Sequence, residues 1–263
     1  MAVARAQRRR CPARGVGRGE ITTIHAEVKG RYGSPRIHAE LVSRGHECCV
    51  NLVARVTREA GIAAKTKRKF RQTTDSNHAR PVAENVLDRA FDPEEPNERW
   101  CADITYVPTR EGWLYLAVVE DLFGRMVAGG SMDDAMTSRL VDALGMALAR
   151  RLSLKGASPS GLVAHSDRGS QYASEHYQRR LREERIACRM SRRGDCGDDA
   201  PMESFFASLK KELVHDEDYA TRDQARSSIF EYIEVFYNRV RRHSALGYVA
   251  PDEYERTHNQ PHR

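Results

Sequence analysis

Three carboxylates stand in distinctive strings: Asp103 in WCADITY, Asp167 in HSDRGSQY and Glu203 in PMESFF. Thirty-five residues separate the second from the third. Three converging acidic side chains can hold two divalent metal ions about 3.5–4 Å apart, the arrangement that cuts and joins phosphodiesters. Carboxylate oxygens are hard ligands and select Mg²⁺ or Mn²⁺, two ions per site, over zinc. Taken singly, a strand Asp reads as an ordinary edge residue and a first-turn Glu as a helix-dipole or capping partner. Together they point to chemistry on a nucleic acid backbone.

The elements around them are legible from periodicity. Trp100 to Val107 reads as a strand ending at Pro108, Arg110-Glu111-Gly112 as a turn, Trp113 to Val119 as a second strand, and Gly124 to Ala128 as the start of a third. Thr137 to Leu152 is an amphipathic helix with a stripe of Leu140, Val141, Leu144, Leu148 and Leu152. Leu162 to Ala164 is a short buried strand, Ala173 to Arg185 a helix, Ile186 to Met190 a strand, and Met202 to Val214 a helix. This order predicts an α/β fold with a mixed sheet and flanking helices, of the ribonuclease-H-like kind. Asp103 then lies mid-strand between Ala102 and Ile104, where a charge is costly without a partner such as a metal. Asp167 follows a strand at its carboxyl end, where such sheets build their sites. Glu203 lies in the first turn of a helix announced by Pro201, whose N-terminus favours its ionised form.

Lys210 is seven residues past Glu203, two turns on and on the same face, and is expected to reach a phosphate beside the metals. Arg168 is expected to contact DNA next to Asp167. His165 reads as a support for the metal ligands, a DNA contact or an ordinary packed histidine.

Charge divides the chain. Residues 1–80 carry 18 Lys and Arg against 6 Asp and Glu, a net +12, while residues 81–263 carry 25 against 31, a net −6. Basic charge gathered in one segment is the footprint of a polyanion binder. Residues 1–19 read as a disordered basic tail, and residues 20–62 as three short helices. Their stripes are Ile21, Ile24 and Val28, then Ile37, Leu41 and Val42, then Val53 and Val56. Ser34 is the expected cap of the second helix with Pro35 behind it, Asn51 is the expected cap of the third, and Gly45 and Gly61 are stops. Three helices with tight glycine turns suit a helix-turn-helix. Its expected DNA contacts are Arg55, Arg58, Lys65, Lys67, Arg68 and Lys69. Residues 63–97, with Pro81, Pro93 and Pro96, read as a linker, residues 98–220 as the catalytic core and residues 221–263 as a helical C-terminal extension.

Other classes are disfavoured. No apolar run nears the ~18 residues that span a membrane, and the basic N-terminus lacks the apolar core of a secretory signal. The 6 cysteines form no CxxC pair, so neither a disulfide framework nor a zinc finger is expected. A cytoplasmic chain with reduced thiols is the simplest reading.

The strings YGSPRI, WCADITY, YLAVVEDLFGR, HSDRGSQY, PMESFFASLKKEL and YNRVRRHSALGY closely resemble the transposase encoded by the second reading frame of a large bacterial insertion-sequence family, related to retroviral integrases. The resemblance spans about residues 20–255. It implies a helix-turn-helix followed by a ribonuclease-H-like integrase core, with Asp103, Asp167 and Glu203 as the catalytic and metal-binding triad. It implies that Lys210 is the basic residue of the catalytic helix, and that Arg239, Arg241, Arg242 and His243 in the last string touch DNA. The implied partners are double-stranded DNA (terminal repeats and target), further copies of the chain, and an upstream-frame DNA-binding partner or fusion. Two departures stand out. The family's Asp-Asn-Ala string is Asp198-Asp199-Ala200 here, which places an added charge at Asp199 beside the catalytic helix. Met1 to Gly19 also look unlike the segment expected before Ile21, which implies a truncated or shifted start. The expected reaction is cleavage by water at the element end, then attack of the freed 3′-OH on a second phosphodiester. A plain nuclease of the same fold and a non-catalytic DNA-binding remnant are the rival readings.

Overall fold

The computed structural model describes residues 16–65, 93–135, 139–155, 161–166, 169, 172–190 and 200–259. The expected site residues Asp167, Arg168, Lys67, Arg68, Lys69 and Asp199 lie outside them, as does most of the expected tail. The chain divides into two compact units, Met1–Lys67 and Arg68–Arg263.

The first unit is all-helical: α1 (Arg18–Glu27), α2 (Ser34–Ser43) and α3 (Val50–Glu59). Ile21 and Ile24 of α1, Ile37 and Leu41 of α2 and Val53 of α3 are fully buried and form its core with Tyr32. Two expected caps are displaced. Gly33, in extended conformation, precedes α2, so Ser34 becomes its first residue, and Cys49 precedes α3, which puts Asn51 inside the first turn. The stops hold: Gly45 and Gly61 take φ of +85° and +66°, a region open to glycine at little cost. Ala63 to Lys65, expected as linker, fold back on this unit. Lys65 N–H donates to the Gly30 carbonyl at 3.2 Å, and His25 Nε2 meets the Ala63 carbonyl at 3.2 Å. Arg55 and Arg58 are exposed on α3, and Arg55 lies 3.9 Å from Glu59.

The second unit is built on a five-stranded sheet of order β3-β2-β1-β4-β5. Its elements are β1 (Arg99–Thr109), β2 (Gly112–Asp121), β3 (Met126–Asp133), α4 (Arg139–Lys155), β4 (Val163–Ser166), α5 (Glu175–Glu183), β5 (Ala187–Met190) and α6 (Ala200–Glu212). β1, β2 and β3 pair antiparallel, whereas β1, β4 and β5 pair parallel. The mixed directions and the element order are those expected. β1 overruns its expected end: Pro108 sits within the strand, opposite Trp113 of β2. β4 pairs with β1 only up to Ala102, so no described strand flanks Pro108 on its other side and its missing N–H breaks no ladder bond.

Alternation sorts the sheet into two faces. Trp100, Ala102, Ala117, Val119 and Ala128 pack beneath α4 and α5, which contribute Leu140, Leu144, Leu148, Tyr177 and Leu181. The backbone of α4 at Ala143 and Ala147 lies directly on Gly129 of β3, where any Cβ would collide. Leu114, Leu116, Val118 and Glu120 of β2 are buried on the opposite face, against which α6 and α7 (Arg222–Phe230) lie. The segment expected as a C-terminal extension is part of this unit. α7 continues into a π-helical stretch, Glu231–Tyr237, and α8 (Pro251–His258) follows. The Asn238 amide bonds both the N–H and the carbonyl of Val127 at 3.0 Å, capping β3 as a short strand would. Pro93, Pro96 and Asn97, expected as linker, are buried, and Asn97 N–H donates to Asp121 Oδ2 at 2.9 Å.

Glu120 is 1% exposed on that second face. Burial pushes its carboxyl up to about 8 from an ordinary 4.5; Arg125 and Arg241 oppose the rise and Asp121 adds to it. A raised folded pKa means the native state holds the proton more tightly, so this group's stabilisation is complete below the unfolded value and is lost as pH rises through about 8. Glu120→Gln is therefore expected to melt close to the wild type near pH ~5 and to be roughly 3–5 kcal/mol more stable near pH ~9, read by thermal unfolding at both. A constant difference across the series would contradict this.

Candidate active site

Asp103 sits half-buried on β1, one residue past the point where β4 stops pairing: Ser166, the last residue of β4, is opposite Ala102. Its Oδ1 accepts hydrogen bonds from Ile104 N–H at 2.7 Å and from the Tyr172 hydroxyl at 3.2 Å. Tyr172 is itself fully buried, edge-on to Tyr177 with ring centroids 6.0 Å apart, so the hydroxyl that meets Asp103 is carried on a ring locked in the core. Sequence reading missed this role, although Tyr172 closes the HSDRGSQY string. Asp167 follows Ser166 directly in the chain.

α6 brings the other groups. Met202, Phe205, Phe206 and Leu209 bury one face of the helix, and Glu203 is exposed in its first turn. Lys210 is half-buried two turns on, with Nζ 5.2 Å from the centre of the Tyr106 ring. Burial lowers the pKa of Lys210, and the charge of Asp103 opposes that shift, which ties this cation electrostatically to the β1 carboxylate. Lys210 thus lies within electrostatic reach of Asp103, and Glu203 shares the helix that carries Lys210.

Of the expected DNA contacts of the last string, Arg241 is corrected. Arg241 is 3% exposed and buried against α6: Nε reaches both oxygens of Glu212 at 3.1 and 2.9 Å, and Nη2 reaches Glu212 Oε1 and Ser208 Oγ, each at 2.8 Å. The Tyr232 hydroxyl donates to the same carboxylate at 2.9 Å. Arg242 is mostly covered, 3.8 Å from Glu253 and 3.4 Å from the Tyr248 carbonyl. Arg239 is exposed. Arg241 of this basic string therefore clamps the helix that carries Glu203. A second buried cluster joins α4, β2 and α8: Arg151 contacts Asp121 at 3.1 Å and Glu255 at 2.6 and 2.8 Å. Asp121 is pushed up to about 6 by burial, against the pull of Arg151. His165 is fully buried in β4, opposite Cys101 and Arg189.

Among the described residues the candidate carboxylates are Asp103, with its orientation set by two donors, and Glu203, open to solvent at a helix start. Oxygen-only donors of this kind fit Mg²⁺ or Mn²⁺ rather than a soft-ligand metal.

Residues 93–196 match the integrase core domain family, residues 203–258 match a second family also described as an integrase core domain, and residues 17–70 match an HTH-like domain. The chain is 43% identical over 242 residues to the insertion element IS600 uncharacterized 31 kDa protein of Shigella sonnei, covering 92% of this chain and 87% of that protein. It is 46% identical over 236 residues to transposase InsF for insertion sequence IS3A of Escherichia coli strain K12, covering 89% and 80%. A chain of the simian T-cell lymphotropic virus intasome, solved in complex with PP2A regulatory subunit B56 gamma, aligns at 16% identity with a TM-score of 0.48, covering 92% of this chain and 75% of that one.

Proposed function

This chain belongs to the IS3-type insertion-sequence transposases, and from that premise we propose that Asp103, Asp167 and Glu203 are the triad with which it cuts DNA and joins the cut end to a target. It is a transposase of the DDE type, a polynucleotidyl transferase with an integrase core. The observation that carries the site assignment is the junction of β1 and α6, where Asp103 is held by Tyr172 and Lys210, seven residues beyond Glu203, lies over Tyr106 of the same strand. Asp167 follows Ser166, the last residue of β4, in the chain.

Two Mg²⁺ or Mn²⁺ ions held by the three carboxylates would supply an activated attacking hydroxyl and neutralise charge on the scissile phosphate. The chain's own part is positioning. Asp103 presents a carboxylate whose rotamer the Tyr172 hydroxyl and Ile104 N–H have already selected, so little ordering remains when a ligand binds. Lys210 holds a cation beside that carboxylate, where a phosphate oxygen of the substrate can accept from it. Arg241 keeps α6, and with it Glu203 and Lys210, in register against the body of the unit. No side chain need form a covalent intermediate. The residues divide the work: the three-helix unit, with Arg55, Arg58, Lys65 and Lys67, reads the duplex at the element ends, helped by Arg68 and Lys69 that follow it in the chain. The second unit, with Arg168 beside Asp167, performs the chemistry, and Asp199 adds a charge that weakens the approach of phosphate. The substrates are the terminal repeats and the target duplex, the working form is a homo-oligomer on DNA or a fusion with an upstream-frame partner, and the place is the bacterial cytoplasm on the nucleoid. No helix among the described residues is long and apolar enough to cross a membrane.

The test is a strand-transfer assay with labelled donor ends, target plasmid and Mn²⁺. Joined products establish the transposase site, nicks alone support a nuclease, and binding without either product supports a remnant. Tyr172→Phe gives a graded check. It removes one donor to Asp103 while leaving the buried ring, so joining should fall about 10–100-fold, as for other groups that orient a metal ligand. Raising Mn²⁺ should recover part of the loss; unchanged joining would show that the hydroxyl is idle.

A further inference from the structure

The sheet face that α4 and α5 cover does not end where they do. Tyr106 on β1 and Trp113 and Tyr115 on β2 continue it toward the β1–β2 turn: Tyr106 lies opposite Tyr115, and Trp113 opposite Pro108. Tyr106 and Tyr115 are half-buried, and Trp113 is 50% exposed. Tyr106 meets Trp113 edge-on, with centroids 4.8 Å apart and planes at 77°, which stands the indole at the surface. Lys210 lies over the Tyr106 ring, and the Arg222 guanidinium donates to the Trp113 carbonyl at 3.1 Å. The carboxylates of this rim are engaged: Glu111 accepts from Arg222 N–H at 2.8 Å, and Asp218 pairs with Arg110 at 2.5 Å. The rim thus joins an open aromatic surface to cations, and it is continuous with the site through Lys210.

Packing alone does not account for it. A cross-strand aromatic pair does stabilise a hairpin, but that role favours covering the indole rather than leaving half of it in water. A π face beside cations is the composition that holds an unstacked nucleobase together with its phosphate. We infer that Trp113, supported by Tyr106, is a stacking platform for an unpaired base of the DNA strand that leads to the scissile phosphate, with Lys210 holding a phosphate between them. The inference rests on the proposed active site. Tyr106 is three residues from Asp103 along β1, about 10 Å at ~3.3 Å per residue. At ~3.4 Å per stacked nucleotide, the base lies about three steps or more from the phosphate attacked.

The protein carries its own reporter, because its only other tryptophan, Trp100, is fully buried. The full chain is titrated with an oligothymidylate and with a blunt duplex, each of about twenty nucleotides, long enough to fill sites of this kind. Tryptophan emission and fluorescence anisotropy are followed together. The expected result is saturable quenching by the single strand, much less by the blunt duplex, and none in Trp113→Phe, whose smaller ring still stacks. Trp113→Leu should bind oligothymidylate about 5- to 100-fold more weakly. Saturated binding by anisotropy with no change in wild-type emission overturns the platform, as does a folded Trp113→Leu that binds like the wild type; either outcome would leave the surface to a protein partner. Asp103→Asn separates the two ideas. It should keep the quenching and lose strand transfer: quenching absent while Asp103→Asn still abolishes joining sinks the platform alone, and joining retained in Asp103→Asn sinks the active-site reading.

Discussion

Asp103→Asn is expected to abolish strand cleavage and joining, by at least about a thousandfold, while leaving the melting temperature nearly unchanged. A thousandfold corresponds to ~4 kcal/mol of lost transition-state stabilisation. The two effects separate because the hydrogen bonds at this position survive the change. Ile104 N–H and the Tyr172 hydroxyl both donate to Oδ1, and an amide oxygen accepts from them as a carboxylate does. Only the negative charge is lost, and charge is what a metal ligand in this site supplies. Asp167→Asn and Glu203→Gln should behave alike. Glu203 is exposed on α6, so its substitution leaves nothing buried unpaired. Duplex binding should persist in all three, since the basic excess lies in residues 1–80. Substantial joining by any of them in Mg²⁺ would remove that residue from the triad.

The second large effect is expected at Arg241. Arg241→Met should destabilise the protein by ~3–5 kcal/mol, because it strands the Glu212 carboxylate in a dry interior. That carboxylate is 2% exposed, and the Tyr232 hydroxyl that donates to it does not replace the lost positive charge. Replacing both members, as in Arg241→Met with Glu212→Met, should recover most of the loss, since a well-packed apolar pair avoids desolvating two charges. Chemical denaturation of the single and double variants measures both. The alternative, a DNA contact, predicts the opposite pattern: unchanged stability, and a salt dependence of binding that is shallower by about one phosphate, ~0.9 in log–log slope. A full melt with no loss of stability would dismiss the clamp.

Arg241 also shows where sequence reading reaches its limit. YNRVRRHSALGY looks like a surface string because its composition is basic and its periodicity is weak. Whether a guanidinium meets phosphate or a carboxylate 29 residues away depends on how α6 and the π-helical stretch cross, and no local pattern encodes that. Tyr172 is similar. Its string advertised Asp167, but its hydroxyl serves Asp103, 69 positions earlier, because parallel pairing of β1 with β4 brings the two strands side by side.

What the sequence determined by itself was local in origin. Alternating and 3.6-residue periodicities, glycine stops and turn residues specify elements one at a time, so the order of strands and helices and the mixed sheet were readable in advance. The placement of Asp103 in a strand and of Glu203 at a helix start was likewise readable from their immediate neighbours. Displaced caps at Gly33 and Cys49, and a strand running through Pro108, mark where helix and sheet packing overrode single-residue preference. Only the tertiary structure decided which charges are spent inside. Arg241, Glu212, Arg151, Asp121 and Glu120 are buried by contacts between elements far apart in the chain. The free energy of a charge depends on its surroundings, and those surroundings exist only once the chain has folded.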